Sequence, residues 1–133
     1  MAKSLEISDY YELVALYRAL RMFKFSRNPM DDRIVGSPFL ANIANRTVEV
    51  LNEMEVERGT TERANWAEPI IPNSEIWQIA VRNAADSNDG YWRNFSPEQK
   101  REFAAVLLSP FSFTDDMLAN FVVDVDAFLD DKP

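Results

Sequence analysis

The sequence predicts an all-α fold, a compact single domain of about five helices that spans residues 1–133. Three observations support this prediction. The three glycines and seven prolines lie at the boundaries of helix-length segments, and both residue types interrupt helices. Within these segments apolar residues recur three and four positions apart, which is the helical period. Few segments show the strict alternation that is typical of a strand.

The first helix is predicted from about Asp9 to Phe25, with Ser8 as its N-cap. Apolar side chains occur on nearly every side of this helix. A helix that is apolar all round is buried on several sides, so we expect the first helix at the centre of the fold.

The second helix has the clearest boundaries. Ser37 is a suitable N-cap, Pro38 suits the first helical position, and Gly59 ends the helix. Its pattern has two distinct faces. The apolar face holds Leu40, Ile43, Ala44, Val48, Leu51 and Met54, and the polar face holds Asn42, Asn45, Glu49 and Glu53.

Three further helices complete the prediction. The third covers about residues 75–86, with Trp77 facing inward. The fourth begins with a capping box at Ser96 and ends before Pro110, and the fifth begins after Thr114. The short connection between helices four and five predicts an antiparallel pair. The remaining segments, 26–36, 60–73 and 87–95, are predicted to be loops, with a brief extended piece over 69–72.

The absence of histidine and cysteine restricts the chemistry that this chain can perform. It excludes Ser–His–Asp and cysteine nucleophiles, imidazole and thiolate metal ligands, and disulfides. Carboxylate pairs, such as Glu49 with Glu53, remain candidates for hydrolysis or Mg²⁺ binding. Pairs of this kind are common on solvated helix faces, so we predict no catalytic site, no metal and no cofactor. The turn 86–90 is not a calcium loop, because with Gly90 at the sixth position of such a loop Ser96 stands where the bidentate glutamate is required.

The charge is acidic and unevenly distributed. The formal net charge is −8 at pH 7. Residues 1–48 contain seven basic and five acidic residues, whereas 49–133 contain seven basic and seventeen acidic residues. This balance disfavours nucleic acid and anionic membranes and permits a basic protein partner. The N-terminus has no apolar stretch, and no uncharged run is longer than the twelve residues of 103–114, which is too short to span a bilayer. We therefore expect a cytoplasmic protein with no membrane partner.

Basic residues recur every third position near the first helix. For these side chains we expect the helix C-terminus and carboxylates of the second or fifth helix as partners. The alternative is a basic strip for nucleic acid or an acidic partner, which the negative net charge opposes. The residues are Arg18, Arg21, Lys24 and Arg27.

No motif in the sequence names a biochemical function. The acidic excess and the large aromatic residues in predicted loops favour a non-catalytic binding protein, such as an inhibitor, immunity-type or regulatory protein that masks a basic partner. The alternatives are a structural subunit that self-associates, as a homodimer for example, and a carboxylate-dependent metal hydrolase. The predicted partner-binding residues are Glu49, Glu53, Glu57, Trp66, Tyr91, Trp92, Asp115, Asp116, Asp124 and Asp126.

Overall fold

The structure, a computed structural model, confirms the all-α fold, with five α-helices among the residues that it describes. It describes residues 3–26, 35–60 and 65–131, with the backbone alone for 87–90. Much of the predicted loop 26–36 and part of the predicted loop 60–73 lie outside these residues. The helices are α1 (Tyr10–Lys24), α2 (Pro38–Glu57), α3 (Glu75–Asp86), a 3₁₀ helix (Ser87–Asn94), α4 (Pro97–Leu108) and α5 (Asp115–Asp130).

Side-chain caps fix where most helices begin. Ser37 accepts a hydrogen bond from the Leu40 backbone N–H at 3.2 Å, and Ser96 forms the predicted capping box of α4. For α1 the predicted cap is wrong by one residue, because Asp9 rather than Ser8 accepts the first-turn N–H. Gly59 follows α2 with φ of 72°, a left-handed conformation that costs glycine little.

The larger core lies among α3, the 3₁₀ helix, α4 and α5. Trp77, Trp92 and Phe121 are its largest fully buried apolar side chains. α5 packs against both α3 and α4. Lys100, near the start of α4, bonds Asp126, near the end of α5, as the predicted antiparallel pairing requires.

A smaller core joins α1 to α2. Leu13, Tyr17 and Leu51 belong to this cluster. The two helices are antiparallel, because Tyr10 at the start of α1 bonds Glu55 at the end of α2. Only one side of α1 is buried, so the expectation of a central first helix buried on several sides is not met. In the larger core, α3 contacts the 3₁₀ helix, α4 and α5.

The basic residues of α1 do not form the expected pairs with carboxylates of α2 or α5. Lys24 is 2% exposed, and its ammonium donates a 2.7 Å hydrogen bond to the Val106 carbonyl in the last turn of α4. That carbonyl has no intrahelical donor, so Lys24 supplies one. Burial lowers the pKa of Lys24 to about 8. Arg21 pairs instead with Glu68 at 3.8 Å, Arg18 is exposed, and Arg27 lies outside the described residues.

The segment before α3 is attached to the turn between α4 and α5. The Ile70 N–H donates to the Ser112 carbonyl at 2.9 Å, and the Ser112 N–H donates to the Glu68 carbonyl at 2.9 Å. Pro69 and Ser112 thereby form an isolated parallel bridge, and the described residues contain no strand. The extended piece predicted over 69–72 matches this attachment, which holds Ile70 in the larger core.

Candidate partner-binding surface

The acidic face of α2 is the most continuous part of the predicted site. Glu49, Glu53 and Glu57 are all exposed, and none forms an ion pair with another described residue. Successive members are one helical turn apart, so the three carboxylates cover roughly 12 Å along the helix. Arg46 is also exposed one turn before Glu49, without an ion pair between them. Within the described part of the chain, no cation neutralises these three charges, and a cationic surface can meet them.

The start of α5 carries a second exposed acidic group. Asp115 and Asp116 occupy its first turn, and both are exposed. The helix dipole stabilises carboxylates at this position, so the two residues have a structural reason to be acidic. Their exposure also leaves them available to a partner.

Two of the predicted carboxylates have partners inside the protein. The Trp77 indole N–H donates to Asp124 at 2.8 Å, and the Trp92 indole N–H donates to Asp126 at 2.7 Å. A buried indole N–H needs an acceptor, and these two side chains of α5 supply it. Lys100 adds a 3.0 Å ion pair to Asp126. Asp124 and Asp126 therefore act as acceptors within the fold, and their role in binding a partner stays a prediction.

Of the three predicted loop aromatics, only Tyr91 is largely exposed, at 59%. Trp92 is 1% exposed, so a partner does not reach it in this structure. Trp66 is half-buried and packs edge-on against Tyr17, with 5.1 Å between the ring centroids. Its backbone N–H donates to the Asn52 side chain at 3.0 Å. Both tryptophans hold the chain in place. Trp92 is too buried to contact a partner, whereas a partner contact through Trp66 stays a prediction.

The structure does not gather the remaining residues into one patch. α2 and α5 both contact α4, but they share no extensive interface with each other. The acidic face of α2 is therefore one surface, and the start of α5 is another. We take the face made by Glu49, Glu53 and Glu57, named the α2 acidic face below, as the primary candidate.

The sequence did not predict a cluster of side chains around one buried carboxylate. Glu55 is buried at the end of α2 and accepts hydrogen bonds from the Thr60 hydroxyl and from the Tyr10 hydroxyl, the latter at 2.7 Å. The pKa of Glu55 is lowered by these two hydrogen bonds, and the bond from Thr60 has the larger effect. The bond between Tyr10 and Glu55 in turn raises the pKa of Tyr10. Arg58 lies 4.2 Å from the centre of the Tyr10 ring. The cluster joins α1 to α2 and keeps Glu55 ionised.

One feature in the sequence points to this cluster. Glu55 follows Leu51 by four residues and therefore lies on the buried side of α2. The Trp66 indole nitrogen is buried close to Glu55. It has no hydrogen-bond acceptor at normal geometry, but its N–H still helps to lower the pKa of Glu55. A carboxylate held in its charged form by donors is a poor general acid. The arrangement favours a structural role.

The described residues offer few sites for small ligands or metals. Among them, no group of three or more acidic side chains could hold a metal ion. A cleft of about 280 Å³ lies beside the segment before α3, with Ile71, Phe111 and Arg21 among its lining residues. The Arg21 guanidinium is already engaged there, 4.8 Å from the centre of the Phe111 ring.

None of the described helices is long and apolar enough to cross a bilayer. No family model, curated protein or solved structure matches this chain.

Proposed function

We propose that this chain is a non-catalytic acidic protein that binds and masks a basic protein, as an inhibitor, immunity-type or regulatory protein does. The observation that carries the proposal is the α2 acidic face, with three exposed carboxylates that no described cation neutralises. Glu49, Glu53 and Glu57 repel one another by about 0.2–0.5 kcal/mol per neighbouring pair. A cationic partner would relieve this repulsion on binding.

The uneven charge supports the same proposal. Seventeen of the 22 acidic residues lie within 49–133, where only seven residues are basic. A surface that carries charge of one sign accelerates association with a partner of the opposite charge and disfavours partners of the same charge. A basic protein is therefore the partner class that this surface selects. A cytoplasmic location is part of the proposal, and cell fractionation tests it.

The buried chemistry of the chain agrees with a binding role. Asp124, Asp126 and Glu55 each accept hydrogen bonds from buried or half-buried neighbours. These carboxylates stabilise the fold, so the acids left over for recognition are those on the surface. Among the described surface acids, the α2 acidic face is a row of three, each one helical turn after the one before.

Affinity capture from a native lysate, followed by mass spectrometry, tests the proposal. The tagged wild-type chain is compared with Glu49→Lys/Glu53→Lys and with Glu98→Lys/Glu102→Lys. The control pair lies on α4, is also exposed, has the same four-residue spacing and changes the net charge by the same amount. We expect one basic protein in stoichiometric amount with the wild type and the control, and none with the α2 variant.

Two results would contradict the proposal. Equal capture of the basic protein by both variants would show that the α2 acidic face is not the binding surface. Capture of no protein, together with a metal or metabolite that copurifies with the chain, would favour the carboxylate-dependent enzyme instead.

A further inference from the structure

The outer side of α2 begins with exposed apolar side chains. Phe39, in the first turn, is 77% exposed, and Ile43, one turn later, is 44% exposed. Because four residues separate them, both side chains lie on one side of the helix. Aromatic residues are among those that protein interfaces favour at their centres. The start of α2 therefore offers an apolar contact that its own fold does not use.

These apolar side chains and two of the exposed carboxylates lie in one stripe along α2. Successive members follow at alternating steps of four and three residues, the spacing that keeps side chains in line on a helix. Val50 is half-buried, and the other members are exposed. From its first to its last residue the stripe spans roughly 27 Å, at 1.5 Å per residue. We call it the α2 stripe, and its members are Phe39, Ile43, Arg46, Val50, Glu53 and Glu57.

Other sides of α2 are already in contact with the protein. Leu51 belongs to the core shared with α1, and Glu55 accepts the hydrogen bond from Tyr10 of α1. The Asn45 side chain donates to the Ser109 hydroxyl at the end of α4, 3.3 Å away. By the helical period, the α2 stripe lies on the side that neither α1 nor α4 occupies. An approaching partner can therefore contact it.

From this layout we propose that the α2 stripe binds an amphipathic helix of the basic partner, with apolar residues of that helix against Phe39 and Ile43 and its cations level with Glu53 and Glu57. The inference rests on the proposed function and adds the kind of segment that is recognised. Helices pack on one another through side chains at steps of three and four residues. A stripe with this spacing therefore fits a helix better than a loop.

Charge selects this partner over a second copy of the chain. Together with the neighbouring Glu49, the α2 stripe carries three carboxylates and one guanidinium. A second copy would bring like charges together, and nucleic acid or an anionic membrane is disfavoured for the same reason. Arg46 stands between the apolar half and the acidic half. We therefore expect the cations of the partner helix to be confined to one of its halves.

The two halves of the α2 stripe contribute to binding in different ways. Burial of the Phe39 ring removes apolar surface from water, and salt does not screen this contribution. Attraction between the carboxylates and the partner's cations is screened by salt. Phe39→Ser should therefore weaken binding at every salt concentration. The effect of Glu53→Lys/Glu57→Lys should instead decrease as salt is added.

Two synthetic peptides of about 21 residues, a length that covers the stripe, test the inference. The first has a helical pattern with leucines along one half of its own stripe and lysines along the other half. The second has glutamine in place of each leucine, so it keeps the charge and loses the apolar contacts. Fluorescence anisotropy measures the affinity of each labelled peptide for the full chain. We expect the wild type to bind the leucine peptide about tenfold more tightly, with a gain of helical circular dichroism on binding.

Variants of the chain show which half of the stripe each peptide contacts. Phe39→Ser should weaken binding of the leucine peptide by about tenfold and leave the affinity for the glutamine peptide unchanged. Val123→Ser, at an apolar position on α5 that is 63% exposed, is the matched control and should bind both peptides like the wild type. Glu53→Lys/Glu57→Lys should weaken binding of both peptides at low salt. Circular dichroism of the variants alone establishes that they are folded.

Three results would overturn the inference and leave the proposed function intact, provided that Glu53→Lys/Glu57→Lys still weakens binding. The first is equal affinity of the wild type for the two peptides. The second is a loss with Phe39→Ser no larger than with Val123→Ser. The third is a leucine peptide that binds without a gain of helix. If Glu53→Lys/Glu57→Lys binds both peptides as tightly as the wild type, the inference and the proposed function are both contradicted.

Discussion

Replacement of Lys24 by methionine should remove a pH dependence of stability that arises from burial. In the folded protein the pKa of Lys24 is lowered from 10.5 to about 8. Between these two pH values the unfolded chain binds more protons at this site than the folded chain, so stability rises with pH. Below about pH 8 the lysine is protonated in both states, and its contribution is constant. The full change across the interval is about 3 kcal/mol, at 1.36 kcal/mol per pKa unit.

The assay is urea unfolding of the wild type and Lys24→Met at a series of pH values between 8 and 10.5. Methionine keeps an unbranched chain of similar length, and loss of the donor to Val106 costs about 1–3 kcal/mol at every pH. In this variant the lost hydrogen bond changes the free energy of unfolding at every pH, whereas the lost titration of Lys24 changes the slope of that free energy against pH. Lys3→Met, at an exposed lysine, should keep the wild-type slope. A wild type whose stability does not rise with pH relative to Lys24→Met would refute the reasoning.

Three further predictions concern single side chains. Asp126→Ala should lower the free energy of unfolding by about 1–3 kcal/mol, because the Trp92 indole N–H loses its acceptor. The control Asp130→Ala should lower it by under about 0.5 kcal/mol. Equal losses for the two variants in urea unfolding would contradict this prediction. The pKa of Glu55 is lowered in the folded state, so the free energy of unfolding should fall as the pH drops below the usual carboxyl range. Glu55→Gln should reduce this loss of stability when unfolding is followed during acid titration. Gly59→Ala should cost about 1 kcal/mol in thermal unfolding through backbone strain alone, since no atom beyond the two adjoining residues lies within 4 Å of the added methyl group. An unchanged Tm would show that the end of α2 adjusts freely.

The helices could be predicted from the sequence because local chemistry determines their ends. Ser37, Ser96 and Thr114 each cap the helix that follows them, as their side-chain oxygens satisfy N–H groups that the helix leaves free. A local rule also misplaced one cap, since both Ser8 and Asp9 have suitable side chains. Only the backbone geometry decides between neighbours of this kind.

The burial of α1 could not be predicted because it depends on how many elements pack around the helix. Tyr11 and Met22 are apolar like Leu13 and Tyr17, but only the latter pair faces α2. An apolar side chain on a helix can equally belong to a core or to an interface. A hydrophobic pattern by itself does not distinguish these two environments.

The candidate site was predicted in part for a similar reason. Exposure of Glu49 and Glu53 followed from the helical period of α2, which is local. The partners of Asp124 and Asp126 lie 47 and 34 residues away, and Val106 lies 82 residues from Lys24. Contacts over such distances are invisible to a search for local charge patterns. Buried tryptophans nevertheless gave a usable indication, since each indole N–H requires an acceptor.

The most direct test of the central claim is the affinity of the purified basic partner for the wild type, Glu49→Lys/Glu53→Lys and Glu98→Lys/Glu102→Lys, measured by isothermal titration calorimetry. We predict that the α2 pair weakens binding by about tenfold or more and that the α4 pair changes it by less than about threefold. We also predict that the wild-type affinity falls steeply as salt is added. Equal losses for the two pairs, or an affinity that salt does not change, would contradict the claim that the α2 acidic face recognises a basic protein.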